Sequence, residues 1–161
     1  MRNSWIFILL ILTFLINACK TQKPEIVAAK EIPYFTFYTL NSERFTKDSF
    51  DKKRTKLILY FNSECDHCAK QAKWLRKEID LFSELELTFI SFEEMNAIKT
   101  FRDKHDFTQP NITFLQDARL TFANKFGVSE FPSILLYSKK GKLIHKFEGE
   151  TRVENIIPYI Q

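Results

Sequence analysis

The stretch Cys65-Asp66-His67-Cys68 says more about the fold of this chain than any other. It follows an apolar run, Leu57-Ile58-Leu59-Tyr60-Phe61, that predicts a buried strand. It also opens a pattern typical of an amphipathic helix, in which one face carries Cys68, Ala72, Leu75, Ile79 and Phe82. The sequence therefore places two closely spaced cysteines at a strand-to-helix junction.

Two cysteines at this spacing suit thiol–disulfide chemistry. At the first turn of a helix, the free backbone N–H groups and the helix dipole favour a thiolate, which is the attacking species. Cys65 lies at that exposed turn and is the predicted nucleophile, whereas Cys68 lies deeper in the helical pattern and is the predicted resolving cysteine. A structural zinc half-site is the alternative, but the sequence has no second cysteine pair to complete four ligands.

The first 18 residues predict a signal peptide. Arg2 supplies a positive charge, and the mostly apolar run from Trp5 to Ile16 is shorter than the roughly 20 residues of a typical spanning helix. The segment Leu15-Ile16-Asn17-Ala18-Cys19 resembles a bacterial lipobox, in which the cysteine is lipidated and becomes the mature N-terminus. An ordinary signal peptide with an incidental cysteine, or an uncleaved anchor, are the alternatives.

The chain is predicted to have three parts: a signal peptide over residues 1–18, a lipidated tether over 19–32 and one domain over 33–161. With lipid on Cys19, Cys65 and Cys68 remain as a matched pair in an exported compartment, where disulfides persist. The 17 phenylalanines can supply a core without stapling disulfides. Removal of the signal peptide takes away Arg2 and lowers the net charge from +4 to about +3, which argues against a nucleic-acid binder.

Within the domain, strands and helices alternate before a final hairpin and helix. Strands are predicted at residues 34–40, 43–46, 56–61, 85–92, 112–115, 133–137 and 142–148. Helices are predicted at 65–82, at 93–107, from Asp117 to a terminating glycine at Gly127, and after a capping box formed by Thr151 and Glu154. This order predicts an α/β fold with a mixed sheet and helices on both faces.

Residues 34–161 resemble a thioredoxin fold, and more narrowly the membrane-tethered, extracytoplasmic TlpA/ResA-like reductases. The resemblance is carried by the cysteine motif after a strand, by Phe131-Pro132-Ser133 before the hairpin, and by Gly141 and Gly149 in and after it. It implies a three-layer α/β/α domain with extra N-terminal strands. It also implies a thiol–disulfide oxidoreductase that needs no cofactor, reduces disulfides of exported proteins and takes electrons from a membrane thiol donor.

The same resemblance assigns roles to residues near the cysteines. Pro132 matches the cis-proline that packs against the active-site pair, and the backbone of Phe131 would pair with an extended substrate segment. His67 resembles the histidine of the oxidant DsbA, whose imidazolium would stabilise the nucleophilic thiolate. The negative carboxylate of Asp66 would instead disfavour that thiolate.

Two positions depart from the thioredoxin pattern. Leu59 stands where thioredoxins carry a buried acid, and Glu64 stands where they usually carry tryptophan. Proton transfer to the resolving cysteine must therefore use another base or water, and Glu64 is a candidate. His105 and His145 lie far from the motif in sequence and are predicted to be structural.

Three other functions compete with the reductase. The two thiolates would also suit Cu(I), as in a copper-handling metallochaperone. A dominant effect of His67 would make the protein a thiol oxidase or isomerase. A thiol peroxidase ranks lowest, because Asn62 stands where those enzymes usually carry Thr or Ser before the attacking cysteine.

Overall fold

The computed structural model describes residues 27–160, so the predicted signal peptide, Cys19 and the first part of the predicted tether lie outside the described residues. The strands are β1 (Thr36–Thr39), β2 (Arg44–Thr46), β3 (Lys56–Tyr60), β4 (Glu86–Ser91), β5 (Ile112–Gln116), β6 (Ser133–Tyr137) and β7 (Leu143–Glu148). The α-helices are α1 (Asp66–Lys77), α2 (Met95–Lys104), α3 (Phe122–Phe126) and α4 (Val153–Ile156). Short 3-10 turns lie at Lys47–Ser49, Ile79–Phe82 and Ile157–Tyr159.

The strands form one mixed sheet in the order β2-β1-β5-β4-β3-β6-β7. The three middle strands β5, β4 and β3 are parallel, and the strands on both sides of them pair antiparallel. Every residue of β3 is buried, as expected for a strand covered on both faces. The predicted mixed sheet is therefore confirmed.

Alternate residues of β3 pack into two separate hydrophobic cores. Leu57 and Leu59 pack in a cluster with side chains of α1, α2 and α4, whereas Ile58 and Tyr60 pack in a second cluster with Phe122 of α3. Because successive strand side chains point to opposite faces, one apolar run supplies both cores. This arrangement gives the three-layer α/β/α architecture that the sequence predicted.

Three helix predictions need correction. The predicted helix over 65–82 is α-helical only to Lys77, because Glu78 leaves helical geometry (φ −112°, ψ 29°) and a 3-10 turn follows. Helix α3 is shorter than predicted, although Asp117 still accepts a hydrogen bond from Phe122 N (2.7 Å). The predicted capping box is wrong: Arg152 precedes α4 and makes no side-chain cap.

Residues 27–32 pack against the domain, although the sequence pattern assigns all of them to the tether. Ala29 N donates to Phe126 O (3.0 Å), Ile32 N donates to Gly141 O (2.9 Å), and Leu143 N donates to Lys30 O (2.8 Å). The packed part of the chain therefore begins before residue 33, which is the predicted start of the domain.

Candidate active site

The two cysteines of the motif lie at the N-terminus of α1. Cys65 is the N-cap, with extended backbone (φ −89°, ψ 116°), and its Sγ accepts a hydrogen bond from Cys68 N (3.4 Å). Cys65 is half-buried and Cys68 is fully buried, and both are free thiols. The sulfur of Cys65 is thus the more accessible one and lies where free N–H groups favour negative charge, as predicted.

The buried thiol of Cys68 is held in its neutral form. Burial raises the pKa of Cys68 far above its ordinary value, and a backbone hydrogen bond from Asn62 opposes this only in part. The neighbouring Cys65 and the charge of Glu93 raise the pKa of Cys68 further. Cys68 therefore needs to lose a proton to a base or to water before it can attack.

The Phe131–Pro132 peptide bond is cis, as predicted, and lies beside the cysteine pair. Strand β6 starts immediately afterwards, and its first residue Ser133 pairs with Tyr60 at the end of β3. This register brings Phe131 O to 3.9 Å from the Sγ of Cys65, which donates to it as a thiol. The Phe131 ring packs on Tyr60, with ring centroids 4.7 Å apart.

His67 is exposed and has an acidic partner that no sequence pattern indicated. Its Nδ1 lies 3.1 Å from Oε2 of Glu150, whose Oε1 accepts from Lys70 Nζ (2.6 Å). Hydrogen bonds from Lys70 and His67 hold the pKa of Glu150 below its ordinary value. Glu150 follows the hairpin glycine Gly149, but no local pattern pointed to it because its partner lies 83 residues away.

Glu93 is a second acid near the cysteines that no sequence pattern indicated. It follows β4, whose end lies beside the end of β3, because Phe61 N donates to Ile90 O (3.0 Å). The Glu93 carboxylate accepts hydrogen bonds from Ser63 N (2.7 Å), Ser63 Oγ (2.6 Å) and Ser91 Oγ (2.8 Å). It thus holds the loop before the cysteines, and its charge acts on Cys68. The parallel register of two adjacent strands is the signal that could have located it.

The other predicted tuning residues lie at the surface. Asp66 is exposed in the first turn of α1, and Glu64 is exposed in the preceding loop, where its backbone N–H donates to Asn62 Oδ1 (2.9 Å). His105 is buried at the end of α2 against Phe101, consistent with a structural role.

Within the described residues, neither a metal-binding cluster nor a membrane-spanning helix is present. Residues 27–160 contain no group of three or more His, Cys, Asp or Glu side chains placed to hold a metal ion. A Cu(I) ion at the cysteines would thus find only Cys65 and Cys68 as clustered ligands in this range. No helix within the same residues is long and apolar enough to span a membrane.

A family model described as a thioredoxin-like domain matches residues 46–161, which is most of the chain. The chain belongs to the thioredoxin-like family. In this thioredoxin-like domain, the cysteine pair, the cis-proline and the hairpin lie in the order that the sequence predicted.

The chain is also similar to individual proteins over most of its length. The chain is 24% identical over 173 residues to the thiol-disulfide oxidoreductase ResA of Bacillus thuringiensis subsp. konkukian, covering 99% of this chain and 96% of the relative. Among solved structures it is similar to a thiol-disulfide oxidoreductase from Bacteroides fragilis (TM-score 0.68, 18% identity, 80% of this chain and 96% of the other). It is also similar to StoA from Bacillus subtilis (TM-score 0.65, 14% identity, 83% and 100%). The two solved structures share the fold of this chain. The ResA relative confirms the predicted resemblance to the TlpA/ResA-like group, and with the cysteine geometry it identifies the chain as a thiol–disulfide oxidoreductase.

Proposed function

We propose that this protein is a lipid-anchored, extracytoplasmic oxidoreductase that reduces the disulfides of exported proteins. The observation that carries the proposal is the pairing of a half-buried Cys65 at the helix N-terminus with a buried Cys68, whose pKa is raised by that burial. The first thiol is placed to meet a protein disulfide. The second is sheltered from solvent until the first has reacted.

The reaction runs in two exchange steps. The Cys65 thiolate attacks one sulfur of the substrate disulfide, the substrate S–S bond breaks, and the other substrate sulfur leaves as a thiolate. Cys68 then loses its proton and attacks the Cys65 sulfur, which releases the second substrate thiol. The substrate has gained two electrons, and the enzyme is left with a Cys65–Cys68 disulfide that a membrane thiol donor reduces again.

Phe131 and Pro132 are the proposed substrate-binding residues. The carbonyl of Phe131 lies beside the reactive sulfur, and its ring packs against Tyr60 and Phe92, which fixes its position. An extended substrate segment would pair with the Phe131 backbone as an added strand. This pairing would hold the substrate disulfide next to Cys65.

The proposed anchor is a lipid on Cys19. Seven residues, 20–26, separate that cysteine from the first described residue. Fully extended chain spans about 3.3–3.6 Å per residue, so the packed domain would stay within roughly 30 Å of the lipid. The substrates would then be exported proteins that pass close to the membrane.

The reduction potential of the full chain in detergent tests the direction of electron flow. We expect a value near the roughly −270 mV of thioredoxin. The Glu150 carboxylate lies 3.1 Å from His67 Nδ1, where it would partly neutralise any imidazolium and so weaken the effect of His67 on Cys65. A potential near the roughly −120 mV of DsbA would instead establish an oxidase or isomerase.

Trapping of substrates tests the reaction itself. Cys68→Ser should accumulate mixed disulfides with exported proteins, whereas Cys65→Ser should form none and lose turnover. Full turnover by either variant would contradict the proposal. Tight, stoichiometric Cu(I) binding by the reduced chain without reductase activity would assign it to copper handling.

A further inference from the structure

A buried lysine lies at the end of the domain opposite to the cysteines. Lys56 begins β3, is only 2% exposed, and donates from Nζ to Arg54 O (2.7 Å) and to Lys139 O (3.2 Å). No carboxylate among residues 27–160 lies within ion-pair distance of this ammonium. An ammonium has three donors and a full charge, so one donor and the charge remain without a direct partner. Burial of such a charge is costly unless an anion compensates it.

Lys56 lines a pocket of about 410 Å³ that is rich in cations. The charged residues around the pocket are Lys47, Asp48, Lys52, Lys56, Lys139 and Lys140. Five lysines and one aspartate thus line the pocket, whereas the whole chain has a net charge of only +4. The carboxylates of Asp51 and Glu86 also act on Lys56, but from beyond ion-pair distance. The pocket is therefore a concentration of positive charge around a fixed, buried ammonium.

The pocket also has an apolar wall. Ile32 and Phe50, which are 2% and 5% exposed, line it beside the lysines. Its volume lies within the range of small-molecule sites, about 300–1,000 Å³. A ligand that fits both the lysines and the apolar wall has an anionic group, which can contact several lysines at once, joined to an organic group.

We propose that this pocket binds a phosphate ester, with Lys56 as the buried anchor and Lys139 and Lys140 as flanking contacts. Lysine is a common phosphate ligand because its compact charge needs no fixed bidentate geometry. The organic part of the ester would contact Ile32 and Phe50. The phosphate ester could be the headgroup of an anionic phospholipid or a soluble molecule.

The site is separate from the redox chemistry. Strand β3 runs from Lys56 to Tyr60, which precedes the cysteine loop, and β6 runs back from Ser133 to Tyr137 before the lysines of the turn. The full length of these strands therefore separates the pocket from the cysteines. Ligand binding and thiol exchange can be measured independently, so failure of one proposal leaves the other standing.

Thermal unfolding of the full chain in dodecyl maltoside tests the proposal with three probes: inorganic phosphate, glycerol 3-phosphate and dihexanoyl phosphatidylglycerol. A ligand of the native state raises Tm in a saturable way. A rise with the glycerolipid alone identifies a lipid headgroup, and a rise with the two soluble probes identifies a soluble phosphate. Dihexanoyl phosphatidylcholine, which has no net charge, should give no rise.

Matched variants locate the binding. Lys140→Glu and Lys56→Met should each weaken binding at least tenfold, while Lys99→Glu, on the exposed face of α2, should bind as the wild type. Lys140→Glu should also keep its disulfide reductase activity. The proposal is overturned if no anionic probe gives a saturable rise, or if Lys99→Glu weakens binding as much as Lys140→Glu. Because Lys140 is exposed, its variant tests the proposal even if Lys56→Met does not fold.

Discussion

The side-chain amide of Gln71 is bonded at both ends to the backbone of Thr151. Thr151 N donates to Gln71 Oε1 (2.6 Å), and Gln71 Nε2 donates to Thr151 O (2.9 Å), with both residues buried. This pair ties the segment after β7 to helix α1. It places Glu150 beside His67 on one side and the Arg152 guanidinium over the Trp74 ring (4.2 Å to the centroid) on the other.

Gln71→Ala should destabilise the domain by about 2 kcal/mol, because it leaves two buried backbone groups of Thr151 without partners. Denaturant unfolding measures the change. Lys73→Ala, on the exposed side of the same helix, should change the free energy of unfolding by less than about 0.5 kcal/mol. Equal stability of the Gln71 variant and the wild type would show that water replaces the lost bonds.

Glu93→Gln should shift the pH profile of the resolving step to lower pH. The charge of Glu93 raises the pKa of Cys68, so its removal lowers that pKa and gives more thiolate at a given pH. Single-turnover decay of a preformed mixed disulfide, followed across pH, measures the shift. Glu94→Gln, an exposed neighbour, is the matched control and should leave the profile in place. A slower decay at all pH values would instead identify Glu93 as the proton acceptor.

Glu150→Gln should make the Cys65–Cys68 disulfide slightly more oxidising. Loss of the carboxylate leaves any imidazolium at His67 without compensation, which favours the thiolate and hence the reduced state. His67 is mostly exposed, so we expect a rise of less than about 30 mV. Equilibration with glutathione measures it, with Glu154→Gln as control. An unchanged potential would remove His67 and Glu150 from the tuning of the site.

Gly127→Ala should cost more stability than Gly149→Ala. Both glycines have positive φ (+66° and +72°), so each alanine carries a similar conformational penalty of about 1–2 kcal/mol. A Cβ at position 127 would also lie 1.9 Å from Val27 O, whereas nothing lies within 4 Å of one at position 149. Thermal unfolding of the two variants compares them. Equal losses would show that residues 27–32 contribute little to the fold.

Acidification below about pH 6.5 should destabilise the wild type more than His105→Phe. Burial first, and then the charges of Lys104 and Lys73, lower the pKa of His105 from 6.5. The unfolded chain therefore binds a proton before the folded chain does, and stability falls as pH decreases from 6.5 toward the folded pKa. Unfolding free energies at pH 7.5 and 5.5 test this. Parallel losses in the two proteins would contradict it.

The sequence predicted the parts of the fold that depend on local patterns. The apolar run before Cys65, the apolar residues of β6 and the glycine at position 127 are each local signals of the element in which they lie. The capping box failed because Gln71, far away in sequence, bonds the backbone of Thr151. Glu93, Glu150 and Lys56 were missed for the same reason: each acts on a residue that only the sheet register or a long-range contact brings near.

The N-terminal segment has a mechanical consequence. A stretching force applied to the chain before Val27 would act first on the backbone hydrogen bonds of Ala29, Lys30 and Ile32. These bonds end on Phe126, Leu143 and Gly141, on α3 and the hairpin, and not on α1 or the loop that Glu93 holds. Force transmitted through a tether would thus act first on α3 and the hairpin. It would not act directly on the helix and loop that position the two sulfurs.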